Sequence, residues 1–225
     1  MNSLRSDDQL RAVLHRLHAA SDEQGGAISD YYEAGAERPT GFESEDAPER
    51  AFWRDKFVAL DRDKAEFVYG LCRAAGATRI VEAGTSFGVS TMYLAAAVRD
   101  NGGGLVTTCD IEAAKAAVAV RHFDEVGLSQ YVEVLVGDVL ETLPSLQDSV
   151  DVLLLDIWAP IAGDVIAIVG PRMGEGSIVI ADNVSARREL YSGLFGYLDD
   201  RSNGFTTQTL PFEGGLEFAV KTAVL

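Results

Sequence analysis

The sequence has few cysteines and no long apolar runs. Its two cysteines, Cys72 and Cys109, lie in apolar stretches, and a pair this sparse excludes the framework of a small disulfide-stabilised protein. Met1 is followed by polar residues rather than by the apolar region of a signal peptide. No stretch reaches the roughly 20 apolar residues that a membrane span needs. We therefore expect a cytoplasmic protein with no membrane partner.

Basic residues are also scarce. The 225-residue chain has 19 Lys and Arg against 35 Asp and Glu, which gives a formal net charge of −16. A negative field of this size disfavours nucleic acids and anionic membrane surfaces as partners. Small molecules, or cations held by carboxylates, remain as ligands.

Strand and helix patterns alternate through most of the chain. Amphipathic segments that predict helices separate the first six of seven apolar, β-branched runs that predict strands. These runs are 80–83, 105–109, 131–136, 150–156, 177–181, 205–210 and 216–224. The last two are joined by a turn alone and must pair antiparallel. The pattern predicts an α/β fold with a doubly wound, mostly parallel, seven-stranded sheet and a C-terminal antiparallel hairpin.

The first 60 residues do not follow this alternation. A helix is predicted from Leu4 to Ala20 and is expected to end at Gly25–Gly26, with His15 and His18 on its solvated face. The polar, acidic segment 31–49 predicts a loop.

An aromatic-rich short helix is then predicted around Phe52, Trp53, Phe57 and Leu60. We divide the chain into an N-terminal helical and loop elaboration, residues 1–60, and an α/β domain, residues 61–225. The elaboration is expected to serve as a lid over a site or as a contact in a homodimer.

A glycine-containing loop links the first predicted strand to the helix that follows it. The loop runs Glu82-Ala83-Gly84-Thr85-Ser86-Phe87-Gly88. Glycines let a backbone approach a ligand closely, and a helix N-terminus offers free N–H groups. The spacing is not the G-x-G-x-x-G of dinucleotide-binding proteins, and Glu82 would repel a pyrophosphate. The loop favours a cationic or hydroxyl-rich ligand, unless it is an ordinary strand-to-helix turn.

Acidic residues stand at or just beyond the ends of the predicted parallel strands. They are Glu82, Asp110, Asp138, Asp156 and Asp182. Ligands of doubly wound sheets bind at the carboxyl ends of the strands, and an acid at the end of the second strand can meet ribose hydroxyls. The sequence therefore predicts a ligand site at this edge of the sheet.

Three of the residues at this edge offer hard oxygen ligands. Asp156, Asp182 and Asn183 supply two carboxylates and an amide oxygen, which suit Mg²⁺, Ca²⁺ or Mn²⁺. The alternative is that Asp182 and Asn183 cap the next helix. A cation held there would lower the pKa of a coordinated phenol.

Together these motifs resemble the class I S-adenosylmethionine (SAM)-dependent O-methyltransferases of the catechol and caffeoyl-CoA type, in their bacterial small-molecule form. The resemblance rests on the ordered set Val81–Gly84, Gly88–Ser90, Cys109–Ile111, Leu155–Trp158 and Ala181–Val184, with the closing stretch Leu210–Leu216. It covers the chain from about Asp61 onward. It implies methylation of a small phenolic or hydroxylated metabolite, assisted by a divalent cation.

The resemblance also implies roles for individual residues. The SAM-binding residues would be Glu82, Gly84, Ser86, Ser90, Asp110, Ile111, Gly137, Asp138, Val139 and Asp156. Asp156, Asp182 and Asn183 would ligate the metal. Asp156 and Trp158 would form the catalytic region, with Trp158 walling the substrate or the adenine; for Trp158 a core position is the alternative.

One position departs from the family pattern. A lysine that accepts the substrate proton commonly lies three positions after the first metal-binding aspartate, and this chain has Ala159 there. His15, His18 and Lys56 are candidates for a base from the N-terminal segment. Two other readings stay open: a metal-independent methyltransferase acting on nitrogen, carbon or a carboxylate, and a SAM-binding protein without transferase activity.

Overall fold

A computed structural model describes residues 4–33, 52–185 and 188–222. Its strands are β1 (Arg79–Ala83), β2 (Leu105–Asp110), β3 (Val132–Val136), β4 (Val150–Leu155), β5 (Met173–Asp182), β6 (Phe205–Leu210) and β7 (Leu216–Lys221). The described α-helices are α1 (Asp8–Asp22), α2 (Gly25–Glu33), α3 (Arg62–Ala75), α4 (Val89–Asp100), α5 (Ala113–Glu125), α6 (Val139–Thr142), α7 (Ala162–Val169) and α8 (Ser192–Asp199). Within this part of the chain, no helix is long and apolar enough to span a bilayer.

The strands form one seven-stranded sheet in the order β3-β2-β1-β4-β5-β7-β6. The first five strands are parallel, and β7 pairs antiparallel with both β5 and β6. This confirms the predicted doubly wound sheet and its C-terminal hairpin. The chain reverses its direction of travel across the sheet between β1 and β4, and such a switch point opens a crevice at the carboxyl ends of the strands.

The side chains of alternate strand residues pack into two apolar cores, one on each face of the sheet. Ile80 and Val152 pack under α1, α3, α4 and α5, whereas Val81 and Leu153 pack against α6, α7 and α8. Helix α4 is buried along its whole length from Val89 to Val98, since α1 and α3 cover the side that faces away from the sheet. The N-terminal segment therefore shares a core with the α/β domain.

Three predictions for the N-terminal segment are corrected. Gly25 and Gly26 begin α2 rather than ending the first helix, because Ile28 N–H donates to the Gln24 carbonyl and a new helix starts there. Residues 31–33 complete α2, and the rest of the predicted loop lies outside the described residues. His18 is buried, with Nε2 3.2 Å from the Tyr93 hydroxyl, and not solvated.

The predicted aromatic helix is also wrong beyond its start. Among the described residues of this stretch, only Phe52 and Trp53 are helical, and the chain from Phe57 to Leu60 has no regular secondary structure. Side chains at the end of α1 and just beyond it hold this segment: Ser21 Oγ accepts from the Ala59 N–H at 3.0 Å and Gln24 Oε1 from the Phe57 N–H at 3.4 Å. These bonds take backbone donors that a helix would use internally, and they lay the segment along the edge of the sheet.

Candidate active site

A cavity of about 620 Å³ opens at the carboxyl ends of β1 to β5. Its size is typical of a small-molecule site. The walls come from the loop after β1, the segments that follow β2, β3, β4 and β5, and residues 53–54 and 57–60 of the N-terminal segment. Nine of the ten residues assigned to SAM from the resemblance lie on this wall; they are Gly84, Ser86, Ser90, Asp110, Ile111, Gly137, Asp138, Val139 and Asp156.

The loop after β1 passes very close to the end of β4. Gly84 has φ of +107°, and a Cβ built there would lie 2.1 Å from the Asp156 carbonyl oxygen. Only glycine tolerates both the backbone angle and the contact. The N–H groups of Gly84 and Thr85 both donate to the Cys109 carbonyl at 3.0 Å. The loop is thereby tied to β2 and leaves the space above α4 open.

Glu82, the tenth predicted residue, lies behind the wall and not on it. Its side chain is fully buried, and its Oε2 accepts from the hydroxyls of Thr91 at 2.5 Å and Thr108 at 2.6 Å. Burial raises the pKa of Glu82 to about 7, against the lowering effect of nearby hydroxyls. Glu82 therefore braces the loop from beneath.

Asp110 presents a fixed carboxylate to the cavity. Oδ2 accepts from the Ser86 N–H at 2.6 Å, and Oδ1 accepts from the Glu112 N–H at 2.8 Å. A carboxylate can accept about four hydrogen bonds, so it keeps capacity for a ligand. Asp138 also lines the cavity, and its Oδ1 accepts from the Leu140 N–H at 2.8 Å, which makes it the N-cap of α6.

Directly behind the wall, at the end of β5, lies a buried ion pair that the sequence analysis missed. Lys64 Nζ lies 2.7 Å from Asp182 Oδ1, 2.9 Å from Asp61 Oδ2 and 3.5 Å from Asn183 Oδ1. The exposed fractions of the Lys64 and Asp182 side chains are 1% and 4%. Burial by itself would lower the pKa of Lys64, but Asp182 and Asp61 outweigh it and raise that pKa, so Lys64 is an ammonium.

The local sequence explains how Lys64 reaches this place. Asp61 is the N-cap residue of α3, and Lys64 follows at i+3, on the same side of the helix. Lys64 shares the buried side of α3 with Ala65, Val68 and Cys72. The sequence indication of this ion pair was a lysine on the apolar face of the helix, four positions before Val68. A lysine in such a position needs a buried partner.

Aromatic side chains close the outer side of the cavity. Trp53 and Trp158 meet edge to face with ring centroids 6.1 Å apart, and Phe57 stacks on Phe87 at 4.4 Å. The Tyr191 hydroxyl donates to the Asp182 carbonyl at 2.9 Å. The N-terminal segment thus contributes directly to the wall.

Comparison with known proteins places this geometry in a family. A family model described as a methyltransferase domain matches residues 81–184. The catechol O-methyltransferase of Mycobacterium tuberculosis is 30% identical over 158 residues, which are 70% of this chain and 69% of that protein. The chain belongs to the class I O-methyltransferases.

Other relatives agree with this assignment. The catechol O-methyltransferase of Niastella koreensis is 27% identical over 131 residues, 56% of this chain and 58% of that protein. The O-methyltransferase TomG from Streptomyces achromogenes, solved in complex with SAM, is 22% identical with a TM-score of 0.68, over 88% of this chain and 96% of that one. A Bacillus cereus O-methyltransferase in complex with S-adenosylhomocysteine (SAH) is 21% identical with a TM-score of 0.65, over 72% of this chain and 83% of that one. The solved structures share the fold.

The SAM implied by the family fits the described residues. The cavity has the necessary volume, Gly84 removes the side chain that would close it, and Asp110 holds an oriented carboxylate at its wall. These features meet the needs of a nucleoside with ribose hydroxyls.

A divalent cation does not fit Asp156, Asp182 and Asn183 as they stand. The ammonium of Lys64 already contacts Asp182 Oδ1 and faces Asn183 Oδ1, the oxygens that the cation would need. The described residues include no cluster of three or more His, Cys, Asp or Glu side chains placed to hold a metal ion. No step of the reaction is therefore assigned to a metal.

The three predicted candidates for a base are also absent from the described wall. His15 is exposed on α1, His18 bonds to Tyr93 in the core, and Lys56 contacts Asp55 at 2.7 Å. Ala159 lies on the wall, where the family pattern has a lysine.

Proposed function

We propose that this chain transfers the methyl group of SAM to an oxygen atom of a small phenolic or hydroxylated metabolite. One observation carries the proposal: Gly84 and Asp110 line the same cavity as Asp156, Trp158 and Asp182. A nucleoside and a small acceptor can therefore lie next to each other in one cavity.

The cofactor is proposed to bind along the strand ends. Asp110 would accept from the ribose hydroxyls, Asp156 would face the amino group, and Ile111 and Val139 would flank the base. The remaining proposed contacts come from Gly84, Ser86, Ser90, Gly137 and Asp138, with Glu82 supporting the loop. When bound, SAM supplies an electrophilic methyl group on a positively charged sulfur, which the acidic edge of the sheet favours electrostatically.

The acceptor is proposed to lie against Trp53, Trp158 and Tyr191. A flat phenolic ring can pack edge to face or stack on such side chains, which adds to the gain from burial. Trp158 would act by positioning the ring, and Asp156 by fixing the cofactor end of the reaction path. Holding the two reactants in line supplies much of the rate enhancement in such a transfer.

The absence of a lysine at position 159 favours a phenol over an aliphatic alcohol. No amine stands at position 159 itself, so an acceptor hydroxyl that releases its proton readily is favoured. A phenol, with a pKa of about 10, does so far more easily than an alcohol. The hydroxyl proton would pass to solvent, and the acceptor oxygen would form the new bond to the methyl carbon as the carbon–sulfur bond breaks, with SAH as the leaving product.

Three further properties are proposed with this activity. The protein would work in the cytoplasm, the segment before residue 61 would act as a lid or as a contact in a homodimer, and the α/β domain would span residues 61–225. The placement of Trp53 and Phe57 on the cavity wall supports the lid.

The test has two stages. Calorimetry with SAH comes first, because the proposal fails if the folded protein does not bind it. The second stage incubates the protein with SAM and matched pairs of phenols and their methyl ethers, with amines and carboxylic acids as the rival acceptors. Methylation of phenols but not of the blocked ethers is expected. Methylation of amines, acidic carbons or carboxylates alone would favour the rival reaction, and cofactor binding without any product would favour a SAM-binding protein.

A further inference from the structure

The feature that carries a further inference is the environment of the Lys64 ammonium. Three oxygens from two distant parts of the chain surround it: one from Asp61 at the N-cap of α3, and one each from Asp182 and Asn183 at the end of β5. A lysine has three N–H donors, so this set can satisfy the ammonium without solvent. The side chain is buried as completely as any in the protein.

The same oxygens are the ones that a divalent cation would use. Oxygen ligands lie about 2.0–2.6 Å from Mg²⁺ or Ca²⁺, and Asp182 Oδ1 already has the Lys64 nitrogen at 2.7 Å. A cation on Asp182 and Asn183 would therefore stand within a few ångströms of a buried positive charge. Burial weakens solvent screening, so the repulsion would be large.

The geometry of neighbouring side chains fixes the arrangement. Asn183 Nδ2 donates to Asp182 Oδ2 at 2.9 Å, so the amide turns its oxygen toward Lys64. Asn183 itself has φ of +57°, and a Cβ at Gly214 would lie 2.2 Å from its Oδ1. The hairpin between β6 and β7 thus packs on Asn183 and limits its reorientation.

We propose that the ammonium of Lys64 takes the place of a divalent cation at the ends of β4 and β5, and that the protein works without a metal. Lys64 is a positioning residue in this scheme: it neutralises Asp182 and keeps the carboxylate and Asn183 in place beside the cavity. The cavity wall itself is formed by Asp182 and Asn183 and not by Lys64.

Replacement of the divalent cation by the Lys64 ammonium also affects which acceptors are methylated. This step rests on the proposed function. A divalent cation can bind two adjacent oxygens of an acceptor at once and so favours the binding of acceptors with vicinal hydroxyls. An ammonium held behind Asp182 does not contact the acceptor in this way and gives no such preference. A phenol with a single hydroxyl is therefore expected to be methylated about as well as the matching vicinal diol.

The test titrates Mn²⁺ into SAH-saturated protein and follows bound metal by electron paramagnetic resonance and by calorimetry. The variants are Lys64→Ala, Lys64→Gln and Asp182→Asn, and each Lys64 variant is also combined with Asp182→Asn. Lys221→Ala is the matched control, since Lys221 is a partly buried lysine whose Nζ donates to the Gly170 carbonyl. Melting temperatures with Mn²⁺ and with EDTA give a second readout that needs no acceptor.

The wild type and Lys221→Ala are expected to leave the spectrum of aqueous Mn²⁺ unchanged. Each should also have the same melting temperature in Mn²⁺ as in EDTA. Loss of the Lys64 charge should tighten Mn²⁺ binding by about 100-fold or more, and Asp182→Asn should abolish the gain. The glutamine variant keeps more of the side chain and serves if the alanine variant does not fold.

Two results would overturn the inference. One is a wild-type Mn²⁺ site that disappears in Asp182→Asn. The other is a folded Lys64 variant that gains no metal binding. Both are read on protein shown to bind SAH, so they are distinct from failure of the proposed function, which would appear as absent SAH binding.

Discussion

Lys64 on α3 and Asp182 at the end of β5 form an ion pair of 2.7 Å that is almost completely excluded from solvent. The pair ties the N-terminal part of the α/β domain to the edge of the sheet where the candidate site lies. Removing one partner of a buried pair leaves an uncompensated charge, whereas replacing both is often nearly neutral. The pair therefore makes a direct prediction for stability.

Lys64→Ala is expected to lower the free energy of unfolding by about 3–5 kcal/mol. The double variant Lys64→Met with Asp182→Asn should recover most of this loss, because neither remaining side chain is charged. Asp61 is more than half exposed and needs no buried partner. Urea unfolding of the metal-free wild type and of the two variants measures these differences. A single variant as stable as wild type would show that Asp182 finds another counter-charge.

Gly84→Ala is expected to abolish SAH binding and to destabilise the fold. The new Cβ would lie 2.1 Å from the Asp156 carbonyl oxygen, on a backbone with φ of +107°. Gly102 is a matched control, since its φ is +105° and a Cβ there meets nothing within 4 Å. Gly102→Ala should show the backbone strain alone, about 1–3 kcal/mol. Gly84→Ala should cost about 1–3 kcal/mol more because of the contact. Equal losses in the two variants would argue against the close approach.

The strand ends could be predicted from sequence because their signals are local. β-branched runs specify the strands, and parallel strands place their carboxyl ends at one edge, so Asp110, Asp156 and Asp182 were expected together and lie on one cavity wall. The resemblance to O-methyltransferases uses the same short stretches. Glu82 shows the limit of this argument, since its strand position was predicted but its burial behind the wall was not.

The contributions of Lys64 and of the N-terminal segment could not be predicted, because they depend on contacts between residues distant in sequence. Lys64 resembles any lysine beside an apolar helix face until Asp182 is placed opposite it. His18 follows the same logic, with Tyr93 as its buried partner. The path of the segment from Phe57 to Leu60 depends on Ser21 and Gln24, which precede it by more than thirty residues.

Asp110→Asn is expected to weaken SAH binding by about tenfold or more, the worth of one hydrogen bond to a charged group. One oxygen becomes an NH₂ group that faces a backbone donor, either Ser86 N–H or Glu112 N–H, so the loop after β1 also loses a tie. Calorimetry measures the change. Asp124→Asn is the control, because Asp124 is exposed and its side chain accepts from the nearby Ser129 hydroxyl, away from the cavity wall. An unchanged SAH affinity in Asp110→Asn would remove Asp110 from the proposed cofactor contacts.

Glu82→Gln is expected to stabilise the SAM-free protein at high pH and not at low pH. Burial raises the pKa of Glu82 from 4.5 to about 7 in the folded state. A raised folded pKa contributes stability that is complete below pH 4.5 and is lost as the pH rises through 7. Glutamine does not titrate, and its carbonyl can accept from Thr91 and Thr108 as Oε2 does.

The gap between the unfolding free energies of Glu82→Gln and wild type should therefore widen by about 3 kcal/mol between pH 4.5 and pH 8. Urea unfolding at both pH values measures it, with Glu175→Gln on the exposed start of β5 as the control that should keep the wild-type pH dependence. A gap that stays constant across this range would mean that Glu82 remains ionised when buried. In that case Thr91, Thr108 and the N-terminus of α4 would have to hold the charge, and the loop after β1 would be braced by a carboxylate at every pH.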